Sequence, residues 1–207
     1  MILATLVLLS FLRADYIGDN VIEKISKRYG PFAARRVMAL NEMLANAKNL
    51  NEFKKLEVVN DFFNEVKYES DMKVWGKRDY WATPLEFLIK DRGDCEDYVI
   101  AKYFALKYLG VDPKKLYFVY AKVIGRKVPH MVLAYYKTPS SEPLILDSLN
   151  YKIFPVGKRK DLIPVYLFNG DILERFKNKK RDHLESKNKK VKLKWDDLMS
   201  RIKRNVL

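Results

Sequence analysis

Cysteine and histidine are scarce in this chain, with one of the former and two of the latter in 207 residues. A single cysteine excludes an intramolecular disulfide and any zinc site built from cysteines. Cys95 is therefore either inert packing or a reactive thiol. Acidic residues are the second shortage: 26 Asp+Glu stand against 40 Lys+Arg, a formal net charge of +14. That imbalance favours acidic partners, whether nucleic acid, anionic lipid or an acidic protein. Internal repeats and low-complexity linkers are also missing.

Apolar residues are plentiful, at 48% of the chain with 13% aromatic, enough for one substantial core. The apolar run Met1 to Leu12 (MILATLVLLSFL) is too short to span a bilayer but has the size of a signal-peptide core, so export is expected. No Lys or Arg precedes the run, and Leu12-Arg13-Ala14 departs from a small-x-small cleavage site. A retained anchor and an apolar N-terminal helix are the alternatives. The chain divides into a leader or anchor over residues 1–14, a globular domain over 15–170 and a basic, helical tail over 171–207.

Between Asp19 and Val66 the apolar spacing is helical in three successive stretches: Ile22, Ile25 and Tyr29; then Val37, Leu40, Met43 and Leu44; then Phe53, Leu56, Val59 and Phe63. Gly30-Pro31 separates the first two, and Asn49 to Asn51 separates the second from the third, with Asn51 placed to cap it. A loop-rich stretch from Tyr68 to Asp94 holds one short helix near Pro84 to Ile89, started by its proline. From Asp94 to Leu109, Val99, Ile100, Tyr103, Phe104, Leu106 and Tyr108 cover so much of the helical circumference that the helix must be largely buried. Gly110 and Pro113 end it. Leu116 to Ile124, Met131 to Tyr136 and Pro143 to Leu149 then read as strands of an antiparallel meander.

Cys95 lies in Gly-Asp-Cys-Glu-Asp at the start of the buried helix, where unpaired N–H groups and the helix dipole favour a thiolate. A core cysteine is seldom set between three carboxylates such as Asp94, Glu96 and Asp97. His130 opens a strand after Pro129, and across the Thr138 to Ser141 turn its neighbours fall within about two residues of Asp147. A carboxylate there could orient the imidazole while its other nitrogen takes a thiol proton. A structural histidine is the plainer alternative. The other histidine, His183, lies in the charged tail and reads as solvated.

The runs Tyr80-Trp81-Ala82-Thr83-Pro84-Leu85-Glu86-Phe87-Leu88 and Gly93-Asp94-Cys95-Glu96-Asp97-Tyr98, followed by Ala101-Lys102, resemble the bacterial transglutaminase-like cysteine proteinases. The likeness runs from the N-terminal helices to Asp147 and leaves the basic tail outside. It implies an α+β transglutaminase/papain-like fold, in which N-terminal helices and a buried nucleophile helix pack on an antiparallel sheet. A catalytic triad of Cys95, His130 and Asp147 is implied, with calcium bound beside the nucleophile at Asp94 and Glu96. The resemblance further implies a periplasmic endopeptidase that cuts a large surface adhesin near its N-terminus at a small-residue site, releasing it and dispersing biofilm. An inner-membrane receptor for cyclic di-GMP would be its regulator.

Elementary electrostatics also asks for a cation, because three carboxylates around a thiol oppose its ionisation. Oxygen ligands suit a hard ion such as calcium. Alternatively, Asp94 caps the helix while Glu96 and Asp97 favour its first turn.

Two other functions remain open: acyl transfer to an amine, which a thioester intermediate serves equally well, and binding of nucleic acid or an anionic membrane by the basic surface. No nucleic-acid motif is recognisable, so nucleic acid is not expected as a partner. The tail from Arg175 to Lys194 reads as a solvated segment, or else as a dock for anionic lipid or an acidic regulator. Trp195, Leu198 and Ile202 form a stripe that either packs on the body or binds a partner.

Overall fold

The computed structural model describes residues 15–170 and 186–204, so the expected leader and the first part of the basic tail lie outside the described residues. Three helices come first, α1 (Asp19–Tyr29), α2 (Pro31–Ala47) and α3 (Glu52–Asn64). Gly30 turns between α1 and α2 at φ 88°, a conformation that favours glycine, and Pro31 starts α2. Asn51 caps α3, its side chain accepting the Lys54 N–H at 3.0 Å. The core faces of these helices carry Ile25, Val37, Leu40, Leu44, Leu56, Val59 and Phe63, all buried, whereas Phe53 and Tyr29 face solvent.

A two-residue strand β1 (Lys67–Tyr68) pairs in parallel with β2 (Arg92–Gly93), bracketing the short helices α4 (Asp71–Trp75) and α5 (Pro84–Lys90). Thr83 and Glu86 close a capping box at the start of α5, and Pro84 fills its first position. Helix α6 (Cys95–Tyr108) follows at once. Ten of its fourteen residues are buried, as its apolar circumference predicts, although Tyr108 remains exposed. Gly110, at φ 84°, ends it.

The meander is present as β3 (Leu116–Val123), β4 (Pro129–Tyr135) and β5 (Leu144–Leu146), extended by β6 (Phe154–Pro155) and β7 (Leu162–Phe168) into an antiparallel sheet of order β6-β5-β4-β3-β7. Strand β7 lies on an edge and carries Pro164, which has no N–H to give. The register against β3 slips there, between Tyr120 and Ala121. Alternation splits β4: Met131, Leu133 and Tyr135 join the main core, while Val132 and Ala134 join a smaller cluster on the opposite face.

Helix α7 (Ser186–Arg204) returns to the body. Trp195 and Leu198 are fully buried, with Trp195 meeting Tyr103, Phe104 and Phe118 at centroid distances of 5.7, 5.9 and 5.4 Å. The stripe on this helix therefore packs on the body. Among the described residues, no helix is long and apolar enough to cross a membrane.

Candidate active site

Cys95 is the first residue of α6, a position set by the turn that precedes it. A side chain on Gly93 would collide with the Asp97 carboxylate and, at 2.7 Å, with the Phe87 ring. Only glycine lets β2 run so close to the helix it feeds. Asp97, three residues along, turns back to accept the Asp94 N–H at 3.3 Å and the Ala82 N–H at 2.8 Å. Asp94 is the N-cap of the helix and forms a capping box with Asp97, as one sequence alternative expected. The same Asp97 carboxylate ties the Trp81-Ala82-Thr83 segment to α6, and Arg201 of α7 braces that segment by donating to the Trp81 carbonyl at 2.5 Å and to Glu86 at 2.6 Å.

The Cys95 thiol is buried and donates to Glu96 Oε2 at 2.8 Å, while the Met131 N–H of β4 donates to its sulfur. Burial, then the charges of Glu96 and Asp94, push the thiol well above its ordinary value, against the pull of that N–H. Sequence reading missed Asp71, a buried carboxylate at the start of α4. Ligand oxygens of Asp71, Asp94 and Asp97 lie within 4.8 Å of one another, as do ligand atoms of Asp94, Cys95 and Glu96. Asp71 and Asp94 each bury a carboxylate oxygen, Oδ1, that has no hydrogen-bond partner. Burial first, then like charge, raises both carboxyls, and Asp97 with them.

His130 and Asp147 meet across adjacent strands. Leu133 pairs with Leu146, so continuing the register puts Asp147 opposite Val132 and diagonal to His130, on the same face. His130 Nε2 lies 2.6 Å from Asp147 Oδ1, and both residues are buried. Burial pushes the Asp147 carboxyl up, but the bond and charge of His130, the Leu149 N–H and Arg159 outweigh it and hold the group at about 2. An ionised Asp147 can only accept, so Nε2 carries the proton and Nδ1 is left as the basic nitrogen.

Two buried basic side chains converge on Asp147, and neither was given a role from sequence. Arg159 donates to Asp147 Oδ2 at 2.7 Å. Lys102, on α6, donates to Asn60 and Asn64 at 2.9 and 2.8 Å and reaches the Asp147 carbonyl at 3.3 Å. Lys102 sits in Ala101-Lys102 of the quoted motif, so a signal existed, and a lysine inside an otherwise apolar helix was a second one. Nothing in the sequence around Arg159 distinguishes it from the other exposed-looking basic residues.

Beside this end of the sheet runs a groove of about 560 Å³, lined in part by Tyr120, Lys122, Pro129, Tyr166, Val191 and Lys194. His130 pairs with Ala121, so Tyr120 and Lys122, which pair with Met131 and Pro129, send their side chains to the opposite face of the sheet, and none of Cys95, His130 and Asp147 lines this groove.

The chain is similar to proteins of known structure. Calcium-bound LapG of Legionella pneumophila superposes with a TM-score of 0.71 at 37% identity, covering 90% of this chain and 99% of that one. The EGTA-treated form of the same protein gives 0.69 at 38%, covering 91% and 99%. A search of curated proteins found no match. The model of the bacterial transglutaminase-like cysteine proteinases matches residues 35–160, from within α2 to just past Arg159, and the chain belongs to that family of cysteine peptidases.

Proposed function

We propose that the protein is a calcium-dependent cysteine endopeptidase with Cys95 as nucleophile, His130 as general base and acid, and Asp147 as the group that orients the imidazole. The observation that carries this reading is the buried His130–Asp147 pair at 2.6 Å, next to the Met131 N–H that donates to the Cys95 sulfur. His130 Nδ1 takes the thiol proton as sulfur attacks the scissile carbonyl carbon. The same proton then goes to the leaving amine as the C–N bond breaks. Water, deprotonated by Nδ1, attacks the thioester carbonyl carbon, the C–S bond breaks to release the acid, and the Cys95 sulfur takes back the proton from the imidazolium. The Cys95 N–H at the first position of α6 is the natural donor to the oxyanion.

Calcium fits the acidic cluster, because two buried carboxylate oxygens there lack partners and every donor beside the thiol is a hard oxygen. Asp94 and Glu96 would hold it, with the free oxygen of Asp71 on the same cluster. Bound there, the cation supplies the positive charge that lets the thiol ionise. The LapG structures described as calcium-bound and EGTA-treated support the assignment.

The substrate we propose is a large surface adhesin, cut near its N-terminus at a small-residue site in the periplasm, with an inner-membrane cyclic di-GMP receptor as regulator. Acyl transfer to an amine is served by the same thioester and stands as the alternative. The decisive experiment is Cys95→Ala in a purified chain: cleavage of a quenched fluorescent peptide with an Ala-Ala bond should vanish while the far-UV spectrum and melting point stay unchanged. Undiminished cleavage would remove the proteinase assignment. Cell fractionation tests the location, and recovery wholly from the cytoplasm would rule out the adhesin.

A further inference from the structure

Arg159 is buried at the end of the single 3-10 turn after β6, where its guanidinium makes three bonds to two carboxylates. Nη2 donates to Asp147 Oδ2 at 2.7 Å and to Asp161 Oδ2 at 2.7 Å, and Nε donates to Asp161 Oδ1 at 2.9 Å. Nη1 is buried without a partner. An arginine held inside a protein with one nitrogen unsatisfied is a poor stabilising device, since desolvation opposes it. The bond it does make is with the one carboxylate that also holds His130. Asp147 is thereby a two-sided bridge, with Oδ1 on the imidazole and Oδ2 on the guanidinium.

We infer that Arg159 is a positioning residue of the site, holding the Asp147 carboxylate so that Oδ1 stays on His130 while taking up part of its negative charge. A carboxylate with one free oxygen can rotate about its Cβ–Cγ bond and present either oxygen to the ring. With Oδ2 fixed by the planar guanidinium, that rotation is blocked. The shared charge has a second effect. Asp147 alone would bind an imidazolium strongly, and a cation on its far side weakens that attraction. The other groups facing Asp147 are Lys102 from α6, at the backbone carbonyl, and the Leu149 N–H of its own loop, while Asp161 faces Arg159 from the outside. None of these replaces a cation at Oδ2.

The inference rests on the proteinase reading only where turnover is measured, so the first arm does not use turnover. The chain has two histidines, so a His183→Gln background leaves one imidazole to follow by NMR in histidine-labelled protein. Arg159→Met and Arg159→Gln both remove the charge, and the glutamine keeps a donor for Asp147 should the methionine variant fail to fold. In either, the His130 titration should move upward by about one pH unit, because losing a nearby cation favours the imidazolium. Arg159→Lys keeps the charge and loses the planar fork, so His130 should titrate as in the parent. In that variant kcat for the Ala-Ala peptide should fall about tenfold or more with KM unchanged, as expected for a misaligned base. An unmoved titration in a folded Gln or Met variant overturns the tuning role, and parental kcat in the Lys variant overturns the positioning role. A Cys95→Ala protein that still cleaves would count against the proteinase reading alone.

Discussion

Lys102 Nζ and the backbone carbonyl of Asp147 lie 3.3 Å apart inside the core, joined through Asn64, which donates to the same carbonyl at 3.0 Å. Helices α3 and α6 thus hold the strand end that carries Asp147. Burial is the larger influence on Lys102 and pushes it down to about 7, against the opposing pull of Asp147 and Asp61.

That depression makes a stability prediction. An unfolded lysine titrates near about 10.4, so between pH 7 and 10 the unfolded chain binds the extra proton and the native chain does not. Stability contributed by this group therefore rises with pH across that window and is flat below it. Lys102→Met should be less stable than the parent, because Asn60 and Asn64 lose their donor. The gap should widen from pH 7 to 10 at up to about 1.4 kcal/mol per pH unit. Denaturant melts across that range give the answer, and parallel curves would refute it.

Gly93→Ala tests the close approach of β2 to α6. The new methyl must displace the Phe87 ring and the Asp97 carboxylate. Asp97 would then release the Asp94 and Ala82 N–H groups it satisfies. A loss of about 1–3 kcal/mol is expected from overpacking, with peptide cleavage falling further than the melt accounts for. Gly157→Ala is the control, since its methyl meets only the exposed Glu142 side chain. Equal damage from both substitutions would show that no special contact exists at Gly93.

Much of this was legible in the chain because local chemistry and global packing agree there. Pro31, Asn51 and Pro84 start their helices where turn chemistry says they should, and the run from Val99 to Leu106 is buried because its apolar residues encircle the helix. His130 and Asp147 could be brought together from sequence because the register of a meander constrains them to within a diagonal. Strand β7 was not legible, since Pro164 interrupts its pattern and only an edge position tolerates that. Arg159 and Asp71 escaped for another reason. Each owes its role to burial by distant elements, and an isolated charged residue in a basic chain carries no local mark of burial.

Trp195 tests whether α7 is part of the body. Its ring fills the space against Tyr103, Phe104 and Phe118, and Gly170 passes so close that a methyl there would lie 2.7 Å from the indole. Trp195→Ala should cost about 3–5 kcal/mol, the range for emptying a fully buried aromatic site. Because Arg201 on the same helix holds the Trp81 carbonyl, cleavage should fall along with stability. A change within about 0.5 kcal/mol, the scale of surface substitutions, would mean the helix is detachable.

Calcium removal is the prediction that bears most directly on chemistry. Asp94 and Glu96 flank a thiol that burial and their own charges push well above its ordinary value. In that condition the thiol is a hydrogen-bond donor to Glu96 and a poor nucleophile. A divalent cation on the two carboxylates neutralises their charge, so the thiol should ionise at a lower pH with calcium than in chelator. Cleavage of the Ala-Ala peptide should accordingly stop on chelation and return with calcium better than with magnesium, whose small, strictly octahedral shell suits a carboxylate cluster less well. Asp94→Ala and Glu96→Ala should each reproduce the loss and blunt the rescue. The pH dependence of Cys95 alkylation separates this account from mere unfolding: with calcium the midpoint falls, whereas an unfolded chain alkylates like a free thiol, near about 8.5, under both conditions. Rates and midpoints that ignore chelation in a protein shown to be metal-free would leave Asp94 and Glu96 as residues of the first helical turn and nothing more.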